Sequence, residues 1–157
     1  MSTVLDKGFV TLVDHMGNDL SVVNSARVSF GKRTKEMRPR DEKLINYLWE
    51  HNHSSPFRHA TLQFHIKAPL FVLRQWMKHQ VGCSWNEASG RYIKFDCEFY
   101  QPEVFRVQSQ NNKQGSHGQI PQQDQAAKIY ETAMVYSVRD YNRLLDLGVC
   151  KEQARMV

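Results

Sequence analysis

Between Leu73 and Tyr92 the chain gathers Arg74, Gln75, Lys78, His79, Gln80, Asn86, Glu87, Ser89 and Arg91. Cations set among amides, an imidazole and a hydroxyl suit an anionic ligand. Phosphate is the natural one, because guanidinium and ammonium groups bind its oxygens through charge-assisted hydrogen bonds. Nucleophilic chemistry is poorly served here. Ser89 carries a hydroxyl, but no base stands at a spacing that would force it alongside, so Ser89 reads as a donor to phosphate. The competing reading of the whole stretch is a solvated helix face, which a one-sided run of charge commonly is.

A helix and a turn would have to position these groups. Pro69 suits a first helical turn, where its missing N–H is not needed. Leu70, Leu73 and Met77 recur at helical spacing, which leaves Arg74, Gln75, Lys78 and His79 on the opposite face. Gly82 suits the helix end, and a polar segment follows to Arg91-Tyr92. Upstream, Leu62, Phe64, Ile66 and Ala68 alternate with polar residues and predict a strand with one face buried. Phe9–Val13 is also strand-like.

Asn18 or Asp19 caps a short helix through Leu20, Val23, Ala26 and Arg27 to about Ser29. Asp41 caps a second, burying Leu44, Ile45, Leu48 and Trp49. Between them, Gly31–Pro39 is basic (Lys32, Arg33, Lys35, Arg38) and reads as an exposed loop, with contact to phosphate as the rival reading. Ile93–Tyr100 is β-prone. Gln108–Gln123 is polar and reads as a long mobile loop. Gln122–Leu147 is the longest helix, with an apolar stripe for a core or a subunit interface and Gly148 at its end. Lys151–Val157 reads as the opening turns of another helix, so the chain is expected to be truncated at its C-terminus.

The 157 residues are 41% hydrophobic and 24% charged, with a formal charge of +5. That length supports one domain with a real core, and the charge suits an anionic partner. No run approaches the roughly 20 apolar residues that span a bilayer. The N-terminus lacks a signal-peptide pattern, so a cytoplasmic protein is expected, with no membrane association. Cys83, Cys97 and Cys150 are odd in number and widely spaced, which argues against a disulfide framework. His51, His53, His59 and His65 cluster, but at no zinc spacing, so no metal is expected.

Gln75-Trp76-x-Lys78-His79-x, followed by Ser84-x-Asn86-Glu87-x-Ser89-x-Arg91-Tyr92, resembles the signature of the flavin-dependent thymidylate synthases. Asp6–Val10 with Asp14, Met16–Asp19, Ala26–Phe30, His53–Phe57 with His59, Phe64–Pro69 and Glu152-x-Ala154-Arg155-x-Val157 extend the likeness in the same order along nearly the whole chain. The family pattern is Arg-His-Arg, seven residues, then Ser. Here it stands as Lys78-His79-Gln80, eight residues, then Ser89. Lys78 keeps the charge without the planar fork, Gln80 removes a charge, and the longer loop must bulge near Cys83.

The resemblance implies an α+β fold, a mixed sheet with long packed helices in a single domain spanning 1–157, and a homotetramer with shared active sites. It implies methylation of dUMP to dTMP. FAD would be the cofactor, with NADPH and methylenetetrahydrofolate as co-substrates. By position, Gln75, Trp76, Met77, Lys78, Glu87, Ala88, Ser89, Gly90, Arg91 and Arg155 would bind the nucleotide, Arg155 at its phosphate. His53, Ser55, Lys78, His79, Gln80 and Glu87 would bind FAD. No enzyme residue is assigned as a catalyst, since the flavin carries the reducing chemistry. Family members continue past this point with further FAD contacts and an arginine that polarises the uracil. The rival readings are a nucleic-acid-binding module, which the charge and the basic loop would suit, and an inactive truncated remnant. No recognisable nucleic-acid-binding signature is present, and no nucleic-acid partner is expected.

Overall fold

The structure is a computed structural model and describes residues 2–157. These gather into two compact units, one running to Ser84 and the other from Trp85 to Val157.

In the first unit, β1 (Ser2–Val4), β2 (Gly8–Met16) and β3 (Thr61–Lys67) form a three-stranded sheet in the order β1-β2-β3. Gly8 is required where β1 returns into β2, because a Cβ there would lie 2.7 Å from the Val4 carbonyl oxygen. Leu12 pairs with Phe64, and the register then shifts so that Asp14 pairs with Gln63. Val13 is the extra residue of a bulge. Every strand pairing in the described residues is antiparallel. A short return at Gly8 and a long one through two helices both bring the next strand back reversed.

Helix α1 (Asp19–Arg27) opens with a capping box in which Asn18 and Ser21 each accept the other's backbone N–H. Its buried face is Val22 and Val23, the latter fully enclosed. Burying each is worth about 1.5–3 kcal/mol. A 3-10 turn, Val28–Phe30, follows and ends at Gly31 in the left-handed region. Helix α2 (Pro39–Glu50) has Pro39 at its start and Leu48 buried. Asp41 is not the cap residue but sits one turn in. Its carboxylate accepts the Arg38 N–H at 3.0 Å and pairs with the Arg27 guanidinium, while being fully buried. Asn24 fastens the intervening basic loop, its amide accepting from Thr34 N–H at 2.8 Å and donating to Thr34 C=O at 3.1 Å. Lys32, Arg33 and Lys35 around it are exposed, as expected.

Three further expectations fail in this unit. Trp49 is 74% exposed rather than buried, with its ring edge-on to Phe57. The alternating face of β3 is open, Leu62 at 60% and Phe64 at 46% exposure, because no helix packs extensively on the sheet among the described residues. The central helix is short: α3 covers only Leu70–Trp76, and Met77 closes it. Leu70 is exposed and Leu73 only half-buried, so little packing sustains the helix beyond two turns.

In the second unit, Ile93–Tyr100 forms no strand, and Cys97 takes a left-handed φ of 44° that breaks extended pairing. The polar stretch expected to be a mobile loop contains a hairpin, β4 (Val107–Gln108) against β5 (Ser116–His117). The Gln108 amide donates to the carbonyls of Lys113 and Gly115, both at 3.0 Å. Helix α4 (Gln123–Asp146) matches its expectation closely. Gly148, at φ 84°, ends it, its N–H donating to Leu145 C=O at 2.9 Å and that of Val149 to Leu144 C=O at 2.9 Å. Helix α5 (Lys151–Ala154) follows, with Ala154 fully buried.

Candidate functional site

The first unit holds one wall of candidate residues around a cavity of about 460 Å³. Small side chains at the end of α1 and just beyond (Ser25, Ala26, Ser29) leave the space, and Asn52–Pro56 close it. The chain turns there because Asn52 adopts a left-handed φ of 56°, which lets His53 N–H reach Leu48 C=O at 2.8 Å. His53 and Ser55 thus come together, both exposed at the cavity. A shelf of rings stands next to them. Tyr47 stacks on His51 with centroids 4.0 Å apart, and His53 lies edge-on to Tyr47 at 6.2 Å.

Gln75 and Trp76 lie in the last turn of α3, and Lys78, His79 and Gln80 lie beyond it. They are therefore not the continuous helical face that the spacing predicted. The His79 N–H bonds Trp76 C=O at 2.9 Å and the Cys83 N–H bonds Gln80 C=O at 3.1 Å, so consecutive turns carry them. Gln75, Lys78, His79 and Gln80 are exposed and Met77 is half-buried. Lys78 makes no ion pair among the described residues.

The second unit brings the Ser89–Arg91 turn to the chain's last helix. Tyr92 N–H donates to Ser89 C=O at 3.0 Å, and Arg91 N–H reaches Ser89 Oγ at 3.3 Å. Gly90 is buried, and a Cβ on it would lie 2.9 Å from the Phe95 ring and 3.3 Å from Arg155 Cδ. The glycine therefore allows the Arg155 stem to pack on the turn. Two residues just ahead of Arg155 complete this contact, and sequence reasoning gave neither a role. Lys151 Nζ donates to Tyr92 C=O at 2.8 Å, and Glu152 pairs with Arg91 at 3.3 Å. Glu152 carries the sequence signal of the family-like segment Glu152-x-Ala154-Arg155-x-Val157, and Lys151 only its place beside that segment. Glu87 and Ala88 precede the turn in exposed, irregular backbone. The result is a surface with two guanidinium groups and a hydroxyl, able to accept an oxyanion. Among the described residues no three His, Cys, Asp or Glu side chains gather in a metal-binding group.

Residues 11–157 match the family model described as thymidylate synthase complementing protein. The chain belongs to that family. It is 48% identical over 154 residues to the flavin-dependent thymidylate synthase of Thermus thermophilus, a match covering 98% of this chain and 56% of that protein. It is 44% identical over 156 residues to the flavin-dependent thymidylate synthase of Thermosipho melanesiensis, covering 98% and 67% respectively. The crystal structure of a UMP/dUMP methylase, PolB from Streptomyces cacaoi, bound with 5-Br dUMP, superposes with a TM-score of 0.83 at 31% identity. That match covers 99% of this chain and 69% of PolB. The helices and antiparallel strands of this chain bear out the α+β class expected of the sequence. The chain spans little more than half the length of the Thermus relative. Among the described residues no helix is long and apolar enough to cross a membrane.

Proposed function

We propose that this chain serves a flavin-dependent thymidylate synthase, a methyltransferase that converts dUMP to dTMP. The cofactor is FAD, NADPH is the reductant and methylenetetrahydrofolate is the one-carbon donor. The observation that carries the reading is the meeting of Ser89, Gly90 and Arg91 with Arg155, which are far apart in sequence. A phosphate monoester needs cationic, fork-shaped donors, and two arginines with a serine hydroxyl supply them. Glu87 and Ala88 lead into that turn. Gln75, Trp76, Met77 and Lys78 offer amide, ring, thioether and ammonium groups for the rest of the nucleotide.

The first unit fits a flat cofactor. Its cavity, about 460 Å³, lies within the range of roughly 300–1,000 Å³ usual for small-molecule sites. Its lining of small residues and the neighbouring shelf of Tyr47, His51 and His53 suit a planar ring. When bound, FAD supplies hydride chemistry. The protein's part is to hold and orient. His53 and Ser55 line the flavin side, while Lys78, His79, Gln80 and Glu87 offer donors and acceptors to the remainder. Lys78 offsets anionic charge that would otherwise repel the nucleotide.

We read both units as one domain in a cytoplasmic homotetramer with shared sites, as the family resemblance of the sequence implies. Open apolar surface at Leu12, Leu62 and Phe64 on the sheet, and at Ile129 and Val135 on α4, is consistent with assembly. The test is release of tritium from dUMP labelled at C5, with each of FAD, NADPH and methylenetetrahydrofolate omitted in turn, alongside calorimetry of dUMP. Binding of dUMP and release dependent on all three support the reading. No dUMP binding at millimolar concentration overturns it.

A further inference from the structure

We propose that Glu152 is a displaceable counter-ion at the substrate phosphate site: its carboxylate holds the Arg91 guanidinium until an incoming phosphate monoester displaces it. This rests on the nucleotide-binding reading above. The pair is built to separate. Arg91 Nη2 and Glu152 Oε2 stand 3.3 Å apart, with the two side chains 51% and 57% exposed. The two side chains meet at ion-pair distance with no hydrogen bond between them, short of the two-pronged geometry of a strong Arg–carboxylate pair.

The turn does not need this pair for its place. Lys151 Nζ fastens it through Tyr92 C=O at 2.8 Å, and the Arg155 stem packs on Gly90. Glu152 is thus free to leave Arg91 while the scaffold stays. Carboxylate and phosphate oxygens accept from a guanidinium in the same way, so the carboxylate keeps Arg91 ready for phosphate.

Charge points the same way. Arg155 makes no ion pair among the described residues, so Arg91, Arg155 and Glu152 together carry one net positive charge. A phosphate monoester brings roughly −1.5 to −2 at neutral pH. Once Glu152 releases Arg91, two guanidinium groups face that charge. A nucleoside lacking phosphate gains nothing by displacing Glu152, so the pair sets a threshold that only the nucleotide crosses. Losing the carboxylate costs little orientation, because Arg91 also has its N–H on Ser89 Oγ and its guanidinium carbon 6.0 Å from the Tyr92 ring centroid. Removing a competing anion is therefore the larger effect.

The experiment is calorimetric titration of dUMP and deoxyuridine into wild type, Glu152→Gln, Arg91→Ala and the double variant. Exposed ion pairs are weak, so Glu152→Gln should tighten dUMP by roughly two- to fivefold. Deoxyuridine affinity should not move, and the gain should vanish in the Arg91→Ala background. Unchanged or weaker dUMP binding in Glu152→Gln overturns the proposal, as does a gain that persists without Arg91. Failure of wild type to bind dUMP would overturn the nucleotide reading, and this proposal with it.

Discussion

Two arginine–carboxylate pairs in this chain have the same chemistry and opposite settings. Arg27 and Asp41 join the end of α1 to the start of α2 with side chains only 17% and 0% exposed. Arg91 and Glu152 join a turn to α5 with both partners about half exposed. Asp41 also accepts the Arg38 N–H, and each residue sits at the helix end whose dipole favours its charge. Glu152 also lies in the first turn of a helix, but no backbone N–H donates to its carboxylate among the described residues. Water decides the difference. A buried charge that loses its partner is left uncompensated, whereas an exposed one is resolvated. The first pair is therefore committed to the fold and the second is available to a ligand.

The sharpest way to break this contrast is Asp41→Ala, which should cost about 3–5 kcal/mol of unfolding free energy. Urea denaturation measures it, and a loss under about 1 kcal/mol would put the Arg27 pair in the weak, exposed class. Next comes Arg91→Ala. It should weaken dUMP binding by about 1.5–3 kcal/mol and leave stability within about 0.5 kcal/mol. Calorimetry and a thermal melt on the same sample check both halves, and a large loss of stability would show Arg91 to be structural.

Gln80→Arg restores the charge of the family pattern at a position the proposed function assigns to FAD. FAD should then bind about 1–2 kcal/mol more tightly, roughly 5- to 30-fold, because charged hydrogen bonds outweigh neutral ones. Flavin fluorescence titration reads this, and no gain would mean that position 80 faces away from FAD.

The smallest effect belongs to a third arginine–carboxylate pair, Arg139 and Asp140 on α4, where Arg139 Nε donates to Asp140 Oδ1 at 2.8 Å. That hydrogen bond, together with the charges of Arg139 and Arg143, holds the Asp140 carboxyl below its ordinary value. A depressed acid contributes stability above its unfolded value and loses it as pH falls through the folded one. Asp140→Asn should therefore slightly flatten the stability profile below about pH 4. A steeper acid loss in the variant would reverse that sign.

What the sequence made legible followed the range of the forces involved. Helix α4 was readable because its periodicity runs over many turns and Gly148 marks its end. Helix α1 was readable from Asn18. The α3 stripe was too short to show that it would stay largely unburied and that the helix would end at Trp76. Trp49 and the Leu62–Phe64 face look like core in sequence, but only neighbouring elements can bury them. The β4–β5 hairpin was missed because the Gln108 side chain, not backbone propensity, gathers its loop. Arg27 with Asp41 left only a faint trace, an arginine at one helix end and an aspartate at the next start.

The site followed the same division. That the Ser89–Arg91 stretch carries groups suited to phosphate could be read from residue types. Its meeting with Arg155 could not come from spacing and rested on family resemblance. Glu152 had a signal in the family-like segment it opens but no role there, and Lys151 had only its place beside that segment.

The clasp between Asn24 and Thr34 has a consequence for exchange with solvent. An amide side chain that both accepts and donates at one residue behaves like a single rung of a ladder set into a loop. The Thr34 backbone hydrogen, in a residue only 9% exposed, should be replaced slowly by deuterium. Those of Arg33 and Lys35 on either side should be replaced quickly. One slow amide between two fast ones would show that this basic segment opens only when the end of α1 loosens, so its deuterium uptake would follow the helix rather than the loop.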